Sequence, residues 1–199
     1  MFPDQLHHYD IILASKSPRR KELLTLAGIP FRTITKEASE HFTDGSDPAD
    51  VVMMLCLRKA SMYEEVLKDD KVVVITADTI VVCDNQIINK PSGEAEAFSM
   101  LNQLSGKVHE VLTGVCIRHR NKSRSFYERT RVEFRPLNDD EIWHYIRTSR
   151  PFDKAGAYGI QEWIGHIGIV RIEGSYPNVV GLPVHRVYQE LLSLLNIHR

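Results

Sequence analysis

A mixed α/β fold is predicted for this chain of 199 residues by the kinds of signal it carries and by the order in which they come. Apolar, β-branched runs at 11–14 and 72–82 read as buried strands, and longer alternating runs flank Asn121 and Lys122. Helix-start signals lie between them: Ser17 before Pro18, Asp47 before Pro48, and Asn138. Strands and helices interleave without regular alternation, which favours a mixed sheet over a doubly wound one. The length allows one domain, or one domain split into two lobes around a cleft.

Taken in order, 11–14 is a strand that runs into a helix over 18–27. That helix should turn Leu23, Leu24, Leu26 and Ala27 to a core and stop at Gly28. A strand near 31–35 and a polar loop over 36–47 follow, with Glu40 and Asp44 expected to be solvated acids. A second helix then runs from Pro48 to about residue 68 and exits through solvated Asp69 and Asp70. The segment from 71 to 89 reads as a strand, a polar break at 76–79, a second strand, and a tight turn at Asp84 and Asn85 into 86–88. A helix over 94–104 ends at Gly106, and two long strands turn around 121–122. Asn138 caps a helix to about residue 148. From Pro151 the chain is glycine-rich, then gives a strand and a last helix through Leu195.

Lys plus Arg number 25 and Asp plus Glu 26, a net charge of −1, so no global field draws the chain to nucleic acid or to acidic membranes. Any anion site must be local. The three cysteines, Cys56, Cys83 and Cys116, lie in apolar segments without metal-ligand spacing and read as reduced core residues of a cytoplasmic protein. No run approaches the roughly 18 apolar residues of a membrane helix, and the first ten residues lack the basic-then-apolar pattern of an export signal, with His7 and His8 read as a mobile end. The nine histidines show no HExxH or paired spacing, and Walker A and GxGxxG loops are absent.

The stretch LASKSPRRKELL, residues 13–24, carries the strongest chemical signal. A helix N-terminus offers unpaired amides and the positive end of its dipole, which attract anions. Arg19 and Arg20 add two charges in a turn that usually favours acids, so an anionic ligand is expected there. Asp78 interrupts a β-branched run, where a carboxylate is costly unless partnered, and is the leading catalytic candidate. The alternative for the ADT triplet is an exposed turn, with Thr79 capping it. Lys59 shares a helical face with Val52, Leu55, Cys56, Tyr63 and Val66, so its ammonium must enter a cleft or reach water past them. Lys90 precedes Pro91, which would stiffen the segment that aims it. In DKAGAYGIQ, residues 153–161, glycines and small alanines allow a close backbone approach to a ligand. Gln161 carries both a donor and an acceptor, as the imide edge of thymine or uracil requires.

With Ser15, SPRR, ADT, Lys90-Pro91, AGAYGIQ and NVVGLP in view, the chain resembles the Maf family of nucleoside triphosphate pyrophosphatases across about residues 11–190. The motifs look like those of the branch acting on dTTP and UTP, rather than the branch preferring methylated guanine nucleotides. The resemblance implies an elongated, two-lobed mixed α/β fold like that of inosine triphosphate pyrophosphatases, in one domain and often as a dimer. It implies Asp78 as the catalytic acidic residue, and Arg20, Lys59 and Lys90 as phosphate-facing cations. Ser15 belongs to the first motif and is expected to bind substrate, while Arg19, Thr79 and Gln161 match positions tied to base choice. Asp78 and Glu40 are expected to hold a divalent Mg2+ or Mn2+ ion. Lys16 and the Glu162-Trp163 pair after Gln161 depart mildly from the pattern. A nucleotide-binding regulator of cell division, associated with septum formation, is the alternative reading.

Overall fold

The computed structural model describes residues 4–43 and 45–197; Asp44 lies outside them. The chain divides into two compact units. Unit 1 comprises Met1–Asp78, Thr113–Glu128 and Gly181–Arg199, and unit 2 comprises Thr79–Leu112 and Arg129–Val180.

In unit 1 the strand β1, Asp10–Leu13, buries Ile11, Ile12 and Leu13. It pairs in parallel with Arg32–Thr33, β2, on one side and with Val72–Ile75 of β3, Val72–Cys83, on the other. The Ala14 amide continues that ladder to the Ile75 carbonyl at 2.9 Å. The first helix, α1, spans Pro18–Leu26, and Gly28 follows it at φ 65°. Leu23 and Leu24 are buried, but Leu26, the last residue of the helix and about 200° around it from wholly buried Leu24, is 77% exposed. His7 and His8 are not a loose end: they close a 3-10 turn, Asp4–His8, anchored by buried Leu6.

The second helix, α2, is Pro48–Ser61, capped by the Asp47 carboxylate. It stops about seven residues before the predicted end, and a 3-10 turn, Val66–Lys68, follows. Burial of Tyr63 accounts for the break, since its hydroxyl donates to the Ile34 carbonyl at 2.9 Å and accepts from the Lys36 amide at 3.0 Å. The expected break at 76–79 is absent, and β3 is one strand of 12 residues. Thr76 stays in it because its buried hydroxyl donates to the Cys56 carbonyl at 2.9 Å. Asp78 stays because it is paired, as described below.

Unit 2 contains the end of β3, turned by Asp84 and Asn85 at φ 51° and 62° into β4, Gln86–Ile88. The helix α3, Glu94–Leu104, matches its predicted bounds. The long strands β5, Val108–His119, and β6, Lys122–Phe134, each contribute to both units. A full capping box starts α4, Asp139–Ser149. Two short helices, α5, Trp163–Gly168, and α6, Tyr176–Val180, flank β7, Ile169–Glu173, and were not predicted, being too short for helical periodicity to register. The last helix, α7, is Val184–Leu194, in unit 1. The sheet runs β2-β1-β3-β5-β6-β7, with β4 added to β3 and β7 antiparallel to β6. Among the described residues no helix is long and apolar enough to cross a membrane.

Two packing features yield predictions. A Cβ on Gly114 would lie 2.5 Å from the Val52 carbonyl oxygen, so β5 and α2 meet where only glycine fits. Gly114→Ala is expected to cost about 1–3 kcal/mol and to lower the denaturant midpoint accordingly, read by urea unfolding; an unchanged midpoint would show that α2 shifts freely. In unit 2, His109 is 1% exposed, with Nε2 2.8 Å from the Tyr158 hydroxyl. Burial pushes its pKa down from 6.5 to about 4. The neutral ring is therefore favoured in the folded state, and this contribution is full above pH 6.5 and is lost as pH falls through 4. Unfolding free energy should drop by about 3 kcal/mol over that window, and the drop should flatten in a folded His109→Gln protein.

Candidate active site

The strand-to-helix junction of unit 1 forms as its residues predict. Ser17, in extended geometry, caps α1 by accepting the Arg20 amide at 3.4 Å, with Pro18 in the first turn. Ser15, 7% exposed, accepts the Ser17 amide at 3.2 Å and Arg20 Nη1 at 3.4 Å. The Arg20 side chain ties three segments together: Nε donates to the Gly181 carbonyl at 2.7 Å, and Nη1 to the Ala77 carbonyl at 2.8 Å. Burial pushes the Arg20 pKa down, while the nearby Asp78 carboxylate acts the other way. The guanidinium is thus locked beside the residue that precedes Asp78, in a place fixed by main-chain oxygens.

Asp78 is 7% exposed, so it is not part of an exposed turn. Its Oδ2 lies 2.6 Å from Lys59 Nζ, and the same ammonium lies 3.0 Å from Glu40 Oε1. The stripe on α2 explains this placement. Val52, Leu55 and Cys56 are buried and seat the helix, which leaves the Lys59 stem to carry its charge between the two carboxylates. Glu40 belongs to an irregular loop, and Arg58, one residue before Lys59, holds that loop: its Nη1 donates to the carbonyls of Ser39 at 2.8 Å and His41 at 2.7 Å, on either side of Glu40. Arg58 escaped the sequence reading because an arginine on an exposed helical face carries no signal of its main-chain partners. Cys56 lies close by; burial, with Cys116 and then Asp78, pushes its thiol up to about 12, so it is no nucleophile.

Unit 1 therefore brings together Ser15, Arg20, Glu40, Lys59 and Asp78, with Arg19 half-buried in the first turn of α1. The other expected site residues belong to unit 2. Thr79 is half-buried in β3, Lys90 is exposed after β4, and Gln161 is half-buried in the turn before α5. The glycines of AGAYGIQ serve close packing inside unit 2: a Cβ on Gly156, at φ 69°, would lie 3.1 Å from the Val81 methyls, and one on Gly159 would lie 2.7 Å from the Glu162 carboxylate. Asn178 of NVVGLP is wholly buried and donates to the Val111 carbonyl at 3.1 Å and to Thr130 Oγ1 at 3.0 Å, a packing role.

Asp78 and Glu40 carry hard oxygen donors of the kind a divalent cation of the magnesium type prefers, but the point they share is taken by the Lys59 ammonium. Among the described residues no group of three or more His, Cys, Asp or Glu side chains could hold a metal. Two carboxylates suit an ion that takes its remaining ligands from water and phosphate.

Residues 10–194 match the sequence profile of the family described as Maf-like protein. The chain belongs to the Maf family. A dTTP/UTP pyrophosphatase of Porphyromonas gingivalis is 48% identical to this Maf protein over 190 residues, covering 94% of this chain and 96% of the relative. A dTTP/UTP pyrophosphatase of Bacillus cereus is 52% identical over 181 residues, covering 91% and 93%. One from Cytophaga hutchinsonii is 47% identical over 196 residues, covering 98% and 89%. Among solved structures, the Staphylococcus aureus Ham1 protein shares the fold with a TM-score of 0.51 at 14% identity, covering 92% of this chain and 98% of that one.

Proposed function

We propose that this Maf protein hydrolyses dTTP and UTP between the α and β phosphates, releasing the nucleoside monophosphate and pyrophosphate. The observation that carries the reading is the Lys59 ammonium held 2.6 Å from Asp78 and 3.0 Å from Glu40, with a half-buried Arg20 and a capped helix N-terminus in the same unit. Its relatives named dTTP/UTP pyrophosphatase, near 50% identical over almost the whole chain, agree with it.

A triphosphate is polyanionic, and catalysis of its hydrolysis rests on positioning and charge stabilisation. The α1 amides, Arg19, Arg20, Lys59 and Lys90 supply positive charge for the phosphates. Asp78 orients a water and takes up its proton as the water oxygen bonds to the α-phosphorus and the bridging oxygen leaves with pyrophosphate. Asp78 and Glu40 would hold the Mg2+ or Mn2+ ion, which when bound neutralises phosphate charge and makes a bound water more acidic. Gln161, with Arg19 and Thr79, is assigned the choice of base.

The test is hydrolysis of a panel of canonical and modified nucleoside triphosphates with magnesium or manganese, measuring pyrophosphate separately from phosphate. Pyrophosphate from dTTP and UTP, with purines spared, is expected. Activity only on methylated guanine nucleotides would reverse the base assignment, and binding without turnover would favour a regulator.

A further inference from the structure

The residue assigned to base choice sits in a turn tied down from outside. The Glu162 amide donates to the Gly159 carbonyl at 3.0 Å, closing a β-turn with Gln161 at its third position. Both ends of this turn converge on one hydroxyl of α4. Tyr145 Oη accepts the Gly159 amide at 3.0 Å and donates to Glu162 Oε2 in a short hydrogen bond. The other carboxylate oxygen, Glu162 Oε1, lies 3.0 Å from Lys154 Nζ. Lys154 is itself 7% exposed, its ammonium also 2.7 Å from Asp153 Oδ1.

Glu162 stands at the N-cap position of α5, and its carboxylate bonds to none of the helix amides. It is committed instead to Tyr145 and Lys154. The turn is closely packed at its glycines. A Cβ on Gly159 would lie 2.7 Å from the Glu162 carboxylate carbon, and one on Gly165 would lie 2.0 Å from the Ile160 carbonyl oxygen. A buried lysine and a tyrosine hydroxyl thus hold the carboxylate next to Gln161, at a desolvation cost that packing of α5 alone does not require.

We propose that Tyr145, Glu162 and Lys154 are positioning residues for Gln161, and that through it they set pyrimidine selectivity. The inference rests on the assignment of base choice to Gln161. An amide that reads an imide edge must be held closely in place, and a displacement of about 1 Å can cost about 10²-fold. Loosening the turn should therefore penalise dTTP and UTP, whose N3–H and carbonyl are read, and leave CTP, which lacks that N–H, nearly untouched.

The test compares kcat/KM for UTP and CTP, with magnesium, in Tyr145→Phe, Glu162→Gln, Gln161→Ala and the Gln161→Ala/Tyr145→Phe double variant. Folding is checked by thermal unfolding. In Tyr145→Phe the UTP-to-CTP ratio is expected to fall about ten- to a hundredfold, mainly through a higher KM for UTP with kcat kept, and the double variant should match Gln161→Ala alone. Glu162→Gln keeps the side-chain shape but loses the ion pair with Lys154, and should shift the ratio in the same direction; it decides the question if Tyr145→Phe does not fold. An unchanged ratio in the folded variants, or an equal loss on both nucleotides, would overturn the positioning role. If Gln161→Ala itself leaves the ratio unchanged, the base assignment fails and this inference fails with it. If Gln161→Ala lowers the ratio while Tyr145→Phe does not, only the positioning role falls.

Discussion

Replacing Asp78 with asparagine is expected to lower kcat by about 10²- to 10⁴-fold while leaving the fold intact. The substitution preserves shape in a 12-residue strand and leaves Lys59 with Glu40 as its partner, so little structural damage should follow. What disappears, on the mechanism proposed above, is the anionic oxygen that would orient water and help to hold a divalent ion. The readout is pyrophosphate release from UTP at saturating substrate, with thermal unfolding as the control for folding. A normally folded Asp78→Asn protein with wild-type turnover would remove Asp78 from the mechanism.

Lys59→Met should damage both activity and stability, and the two effects have different origins. The Asp78 side chain is 11% exposed, and Lys59 is its ion-pair partner at 2.6 Å. Removing the cation leaves a desolvated carboxylate short of compensation, at a cost of about 2–4 kcal/mol, reduced from the fully buried case because Lys59 keeps 19% of its side chain in solvent. Catalytically, on the mechanism proposed above, the substrate phosphates would lose one positive charge. A double-mutant cycle separates the effects: Lys59→Met with Asp78→Asn should regain most of the lost stability and none of the lost turnover. A single Lys59→Met variant as stable as the parent in urea would mean that the pair contributes nothing to folding.

Local signals were reliable wherever a short segment contains its own instructions. Ser17-Pro18, Asp47-Pro48 and Asn138 start helices as read, and Gly28 follows the end of the first one at positive φ. They failed where a distant partner decided the outcome. Polar Thr76 and Asp78 looked like a break in β3, but a hydroxyl bonded to the Cys56 carbonyl and a carboxylate paired with Lys59 fit within a buried strand. The helix expected to reach residue 68 stops at Ser61, since Tyr63 is needed to bridge the chain at Ile34 and Lys36.

The candidate site divides in the same way. The sequence alone determined which residue types were out of place: two arginines in a first helical turn, an aspartate in an apolar strand, a lysine on an apolar stripe. Each is costly for local structure, so each is visible without coordinates. Only the tertiary structure decided which of them meet. It set Lys59 between Asp78 and Glu40, bound Arg20 to the carbonyls of Ala77 and Gly181, and had Arg58 hold the Glu40 loop. It also joined Tyr145, Glu162 and Lys154 around the turn that bears Gln161. The reason is physical: a desolvated charge announces itself by its cost, whereas its compensation comes from whatever donors and acceptors the folded chain brings within about 3 Å, however far away they lie in sequence.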